Sequence, residues 1–165
     1  MRTRVYIETS IVSYLTAKPS HELIIAAHQQ VTRDWWETQR GSYDLYTSQF
    51  VIDEAGDGDS DAAKARLEAL SAIPLVPLTP ESVALGKELV KAGLLPRKAG
   101  GDATHLGVAI MHNMNVLLTW NCTHLANAVI LGRIGRFLNA KGLYLPIVCT
   151  PEELMGDPGV VVIGE

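Results

Sequence analysis

The chain has 165 residues, 47% of them hydrophobic and 19% charged. That composition excludes a disordered chain and suits one domain with its own core. A formal charge of −4 excludes a uniformly basic nucleic-acid binder, and no apolar run is long enough to cross a bilayer.

Arg2 and Arg4 precede no long apolar stretch and no small-residue cleavage site, so the chain is expected to be cytoplasmic. Arg4 to Ile7 is a short β-rich run. Ser10 can cap a helix through Leu15 that Pro19 ends. From Glu22 to about Arg40, Leu23, Ala26, Ala27, Val31 and Trp35 recur at helical steps. Trp35 and Trp36 fit a core edge better than a base-stacking surface. Leu45 to Thr47 predicts a second strand, and Ser48 to Ala55 a helix. Gly56 to Asp59 is a turn that lacks the ligand spacing of a calcium loop. Asp61 to Leu70 is an Ala-rich helix. Ile73 to Leu78 predicts an edge strand, because Pro74 and Pro77 cannot donate to a ladder. Thr79-Pro80-Glu81 opens a helix that Gly93 stops. Pro96 to Gly101 is a basic loop, and Asp102 opens a helix to about Asn113. Asn115 to Thr119 is the clearest buried strand. A helix is expected through His124 to about Leu138, and Leu143 to Cys149 is a last strand. Pro151 to Leu154 is a helical turn, and Val160 to Ile163 is either an edge strand or a partner contact.

Strands alternate with helices throughout, which predicts βαβ units, a mostly parallel sheet and helices on both faces. In such sheets, sites form at the carboxyl ends of strands. The charge is uneven. From Leu89 to Pro151, Lys91, Arg97, Lys98, Arg133, Arg136 and Lys141 face a single acid, Asp102. That half is either a guide for a polyanion or a pair of solvated helices.

Three isolated acids stand at the ends of apolar segments. Glu8 follows Ile7, where it meets either a cation or solvent. Glu54 shares a helix face with Phe50 and Val51, whereas Asp53 points outward. Asp102 is a natural helix cap, favoured by the dipole whatever else it does. His105, one turn on, contacts substrate or simply packs. Asn121 ligates weakly, holds a metal-bound water or caps the next helix, and His124 packs beside it. Converged, Glu8, Glu54 and Asp102 would form a hard-oxygen pocket for Mg²⁺ or Mn²⁺. Cys122, His124 and Cys149 match no common zinc spacing, and the two cysteines are expected to be buried, reduced thiols. No phosphate-cradling Gly-Lys-Ser/Thr loop, dinucleotide fingerprint or nucleophile elbow is present.

Val5-Tyr6-Ile7-Glu8-Thr9-Ser10 resembles the opening motif of PIN-domain proteins, especially the VapC-type toxin nucleases. Val51 to Ala55 is similar to their glutamate-bearing helix. Gly101 to Ala109 resembles the helix that carries their third acid, and Val116 to Asn121 resembles their Thr-x-Asp strand end. The resemblance runs to about Cys149 and implies a PIN-like domain over residues 1–150 with a C-terminal extension over 151–165. It further implies a three-layer α/β/α sandwich around about five mostly parallel strands. The implied activity is a Mg²⁺- or Mn²⁺-dependent endoribonuclease acting on single-stranded RNA, with Glu8, Glu54 and Asp102 as metal ligands and Asn121 as a fourth catalytic residue. Ser10 and Thr119 would hold waters or phosphate oxygens, and Arg97 and Lys98 would neutralise flanking backbone. Implied partners are a second copy of the chain and an antitoxin protein, with no membrane. Glu8 replaces the usual Asp and Asn121 the usual acid. Those departures predict reduced activity, or a module that binds RNA or protein without cutting.

Overall fold

The computed structural model describes residues 1–156. The segment Val160 to Ile163 lies outside the described residues.

Five strands form one sheet in the order β3-β2-β1-β4-β5, every pair parallel. They are β1 (Arg4–Ile7), β2 (Asp44–Ser48), β3 (Leu75–Val76), β4 (Val116–Leu118) and β5 (Ile147–Cys149). The helices are α1 (Thr9–Thr16), α2 (Leu23–Thr38), α3 (Gln49–Ala55), α4 (Ser60–Leu70), α5 (Pro80–Lys91), α6 (Gly100–Met111) and α7 (Ala128–Asn139). The result is the expected three-layer α/β/α sandwich. β1 lies at the centre because Val5, Tyr6 and Ile7 are all fully buried, as a strand covered on both faces must be. Val5 pairs with Leu45 on one side and with Val116 on the other. The chain builds β2 and β3 outward from β1, then crosses back to place β4 on the other flank. Strand order therefore reverses beside β1, at the kind of switch point where α/β sheets open a crevice.

Both helical layers close on apolar stripes. Trp35 is fully buried and stacks on Tyr43 with ring centroids 5.9 Å apart, so it belongs to the core. Among the described residues its indole N–H has no hydrogen-bond partner. α5 and α6 cross at close range because two glycines remove the side chains between them. A Cβ on Gly107 would lie 2.1 Å from the Ser82 carbonyl oxygen, and one on Gly86 would lie 2.8 Å from that of Ala103.

Several boundaries differ from expectation. α1 is capped by Glu8 rather than Ser10. α6 starts at Gly100 with Ala99 as its cap, so Asp102 sits inside the first turn and is not the N-cap. α7 starts only at Ala128, capped by Asn127, because Asn121 to Asn127 is occupied by turns. β3 and β5 are shorter than their apolar runs, since the flanking prolines Pro74, Pro77 and Pro146 cannot extend the ladders. No helix among the described residues is long and apolar enough to cross a membrane.

Candidate active site

The carboxyl ends of β1 and β4 lie side by side, and Glu8 leaves the sheet between them. It is 6% exposed, so its charge needs donors. Its Oε2 accepts from the Ser10 backbone N–H at 2.7 Å. Its Oε1 accepts from the Ser10 hydroxyl at 2.6 Å and from the Thr119 hydroxyl at 2.5 Å. The Ser10 hydroxyl in turn accepts from the Trp120 backbone N–H at 2.8 Å, and Thr119 Oγ1 accepts from that of Asn121 at 2.9 Å. One carboxylate thus caps α1 and ties β1 to β4. Ser10 and Thr119, expected to hold waters or phosphate, hold Glu8 itself.

Glu54 projects from α3 towards the same edge. Its Oε1 accepts from the Thr9 hydroxyl at 2.5 Å and is 2.7 Å from Nε2 of His105. The His105 ring is buried, and its Nδ1 is 2.9 Å from the Tyr6 hydroxyl, which is 2.8 Å from the Ser48 hydroxyl. A consistent proton arrangement has Ser48 donating to Tyr6, Tyr6 to Nδ1, and Nε2–H to Glu54. Burial pushes the Glu54 carboxyl pKa up, but the hydrogen bond from His105, the ring's charge when it is protonated, and the hydrogen bond from Thr9 prevail and hold it below the ordinary glutamate value. The Tyr6 hydroxyl is pushed well above the ordinary tyrosine range, by burial first and then by the Glu8 and Glu54 charges, against the Ser48 hydrogen bond. It remains a neutral donor. Asp53 is exposed and takes a hydrogen bond from Gln49, leaving Glu54 as the inward acid.

Asp102 occupies the first turn of α6, where the helix dipole favours a negative charge. Its Oδ2 lies 3.1 Å from Nδ1 of His124. Asn121 Oδ1 accepts from the backbone N–H groups of Thr123 and His124, so the amide builds the turn that presents His124. Arg97 and Lys98 are exposed on the short turn before α6.

The three acids share one edge. Thr9, the neighbour of Glu8, donates to Glu54. A Cβ on Gly101, the neighbour of Asp102, would lie 3.7 Å from Glu54 Oε2. Among the described residues, however, no three His, Cys, Asp or Glu side chains form a group that could hold one ion as they stand. Cys122, His124 and Cys149 form no such group either. Both thiols are free, but only Cys149 is buried, which raises its pKa to about 11, whereas Cys122 is exposed on the turn after β4. The carboxylate donors suit a hard divalent ion, and Glu54 Oε2 and Asp102 Oδ1 carry no hydrogen bond from a described residue.

Three contributors were not singled out from sequence. Thr9 bonds Glu54, Tyr6 supports His105, and an aromatic stack braces the β4 end. There, Trp120 lies on His28 at 4.1 Å and donates to Thr32. The advance signal was position, with Thr9 following a strand-ending acid.

The sequence matches no family model and no curated protein. The fold does have solved counterparts. VapBC2 from Rickettsia felis, solved bound to a DNA fragment from their promoter, aligns with a TM-score of 0.56 at 15% identity, covering 90% of this chain and 98% of that one. VapC20 from Mycobacterium tuberculosis, a Sarcin-Ricin loop cleaving toxin, aligns at 0.55 and 15% identity over 73% of this chain and 92% of that one. FitAcB from Neisseria gonorrhoeae aligns at 0.55 and 16% identity over 90% and 98%. The architecture is therefore the PIN-like one these structures share, and at such identities the likeness is one of fold.

Proposed function

We propose that this protein is a divalent-metal-dependent endoribonuclease cutting single-stranded RNA, the toxin of a toxin–antitoxin pair. What carries the reading is the gathering of Glu8, Glu54 and Asp102 at the strand-order reversal of a PIN-like sheet. Glu54 and Asp102 are the groups that would hold Mg²⁺ or Mn²⁺, through the oxygens that carry no hydrogen bond. Glu8 joins them only by giving up part of its hold on Ser10 and Thr119. When bound, such an ion lowers the pKa of a water and polarises the scissile phosphate.

The protein groups do the rest. His105 fixes the rotamer of Glu54 and keeps its carboxylate ionised, so that it can orient a water or meet a cation. His124 fixes the rotamer of Asp102. The side-chain nitrogen of Asn121 carries no hydrogen bond among the described residues and is placed to donate to a phosphate oxygen. Arg97 and Lys98 offset charge on the flanking strand. An antitoxin protein is the partner that the VapBC2 and FitAcB complexes suggest, and a second copy of the chain is proposed beside it. The test is cleavage of an end-labelled single-stranded RNA with Mn²⁺ or Mg²⁺. Cleavage is expected in the wild type, and is expected to disappear with chelator and in Glu54→Gln and Asp102→Asn. Undiminished cleavage in both variants would rule the site out.

A second reading has its own support. Asn121 stands where a fourth acid would, its oxygen is committed to a turn, and the acids do not form a ready ligand group. In that reading the fold binds RNA or protein without cutting. Absence of cleavage by the wild type, with RNA binding retained, would select it.

A further inference from the structure

Beyond the acids, a cleft of about 560 Å³ opens between α5 and α6. That size is within the roughly 300–1,000 Å³ of small-molecule sites. Val83 and Val90 give it apolar surface, Thr104 adds a hydroxyl, and Lys87, Lys91 and Arg97 stand around it. Among the described residues, no acidic one lines it. None of the three cations forms an ion pair among the described residues, whereas Glu88 on α5 is taken by Lys141. Lys87 and Lys91 are four residues apart, so they share a helix face about 6 Å apart along the axis. Arg97 approaches from the turn before α6. Gly100 is at the lip of the cleft, and the next residue, Gly101, is against Glu54.

From this arrangement we infer that the α5/α6 cleft is an RNA subsite holding one nucleotide next to the scissile position, with its base against Val83 and Val90 and its flanking phosphates on Lys87, Lys91 and Arg97. Unpaired cations around an apolar surface suit a ligand that is anionic along one side and planar and apolar along the other, and a nucleotide is such a ligand. A strand that crosses the carboxylate edge beside Glu54 and rounds the start of α6 at Gly101 and Gly100 would reach the cleft. The local positive charge, in a chain of net charge −4, would draw the strand to this face. The inference rests on the reading of RNA as substrate, and adds where the strand runs and which residues grip it.

The test measures binding of a fluorescein-labelled single-stranded oligoribonucleotide by anisotropy, with chelator present so that nothing is cut, over a series of salt concentrations. Lys87→Glu/Lys91→Glu is expected to weaken binding at least tenfold. It should also reduce the slope of log affinity against log salt by about 1.4, given about 0.7 per lost phosphate contact on a single strand. Lys87→Arg/Lys91→Arg should restore binding. Lys64→Glu, which reverses the charge of one lysine on exposed α4, should leave binding unchanged. Affinity and slope unaltered in the double glutamate variant would overturn the subsite. So would wild-type protein that binds no RNA at low salt. A change in oligomeric state by light scattering, with RNA binding intact, would also overturn it and assign the cleft to a second copy. Because no chemistry is read, loss of the nuclease reading through failed cleavage leaves this outcome separately decidable.

Discussion

Two kinds of carboxylate meet at the same sheet edge. Glu8 is buried, and three donors from α1 and β4 converge on it. Glu54 and Asp102 are partly open, and each leans on one histidine with an oxygen left over. Burial makes the first acid a structural tie, since removing it strands its donors. Openness makes the other two available to a ligand. The same residue chemistry thus divides into holding the crevice together and offering it charge.

The sharpest way to break this contrast is Glu8→Ala. It leaves the Ser10 N–H and the Thr119 hydroxyl without their acceptor, and should cost about 3 kcal/mol of stability in denaturant unfolding. Thr119→Val removes one of the three donors and should cost about 1–2 kcal/mol. His105→Leu should come next. It breaks the Tyr6–His105–Glu54 chain, and the Glu54 carboxyl should return towards its ordinary value when titrated by NMR.

That variant also carries a pH signature. The Glu54 pKa is depressed in the folded state, so its contribution to stability is present above the ordinary value of 4.5 and lost as pH falls through the lower folded value. The acid limb of the melting-temperature profile should flatten in His105→Leu. The smallest effect belongs to Asp102→Asn. Its half-open pair with His124 should contribute less than about 1 kcal/mol, even though RNA cleavage should be lost. A stability loss equal to that of Glu8→Ala would erase the distinction between the two kinds of acid.

Layer order and parallel pairing could be seen in the alternation of apolar runs, because Val5 to Ile7 and Val116 to Leu118 are uniformly buried. The positions of the three acids were also visible, since each ends or opens a segment. What sequence did not reveal is who satisfies them. Glu8 has one methylene more than aspartate and reaches back to the N–H of Ser10, a choice that depends on Thr119 arriving 111 positions later. His105 was ambiguous because its partner Tyr6 lies on β1, 99 positions away. The start of α6 was misplaced because Gly100 and Gly101 look like loop residues. Gly101 is in the helix, packed against Phe50 and Glu54. The start of α7 was misplaced because the Asn121 side chain spends its oxygen on a turn before the helix begins.

The central claim is that these carboxylates hold a divalent ion. It is tested most directly by titrating Mn²⁺ against thermal unfolding of the wild type, Glu54→Gln and Asp102→Asn. A ligand bound only by the native state raises the melting temperature with concentration. The account predicts such a rise for the wild type and none for either variant. A wild-type melting temperature unmoved at millimolar Mn²⁺, or three proteins that shift alike, would contradict it.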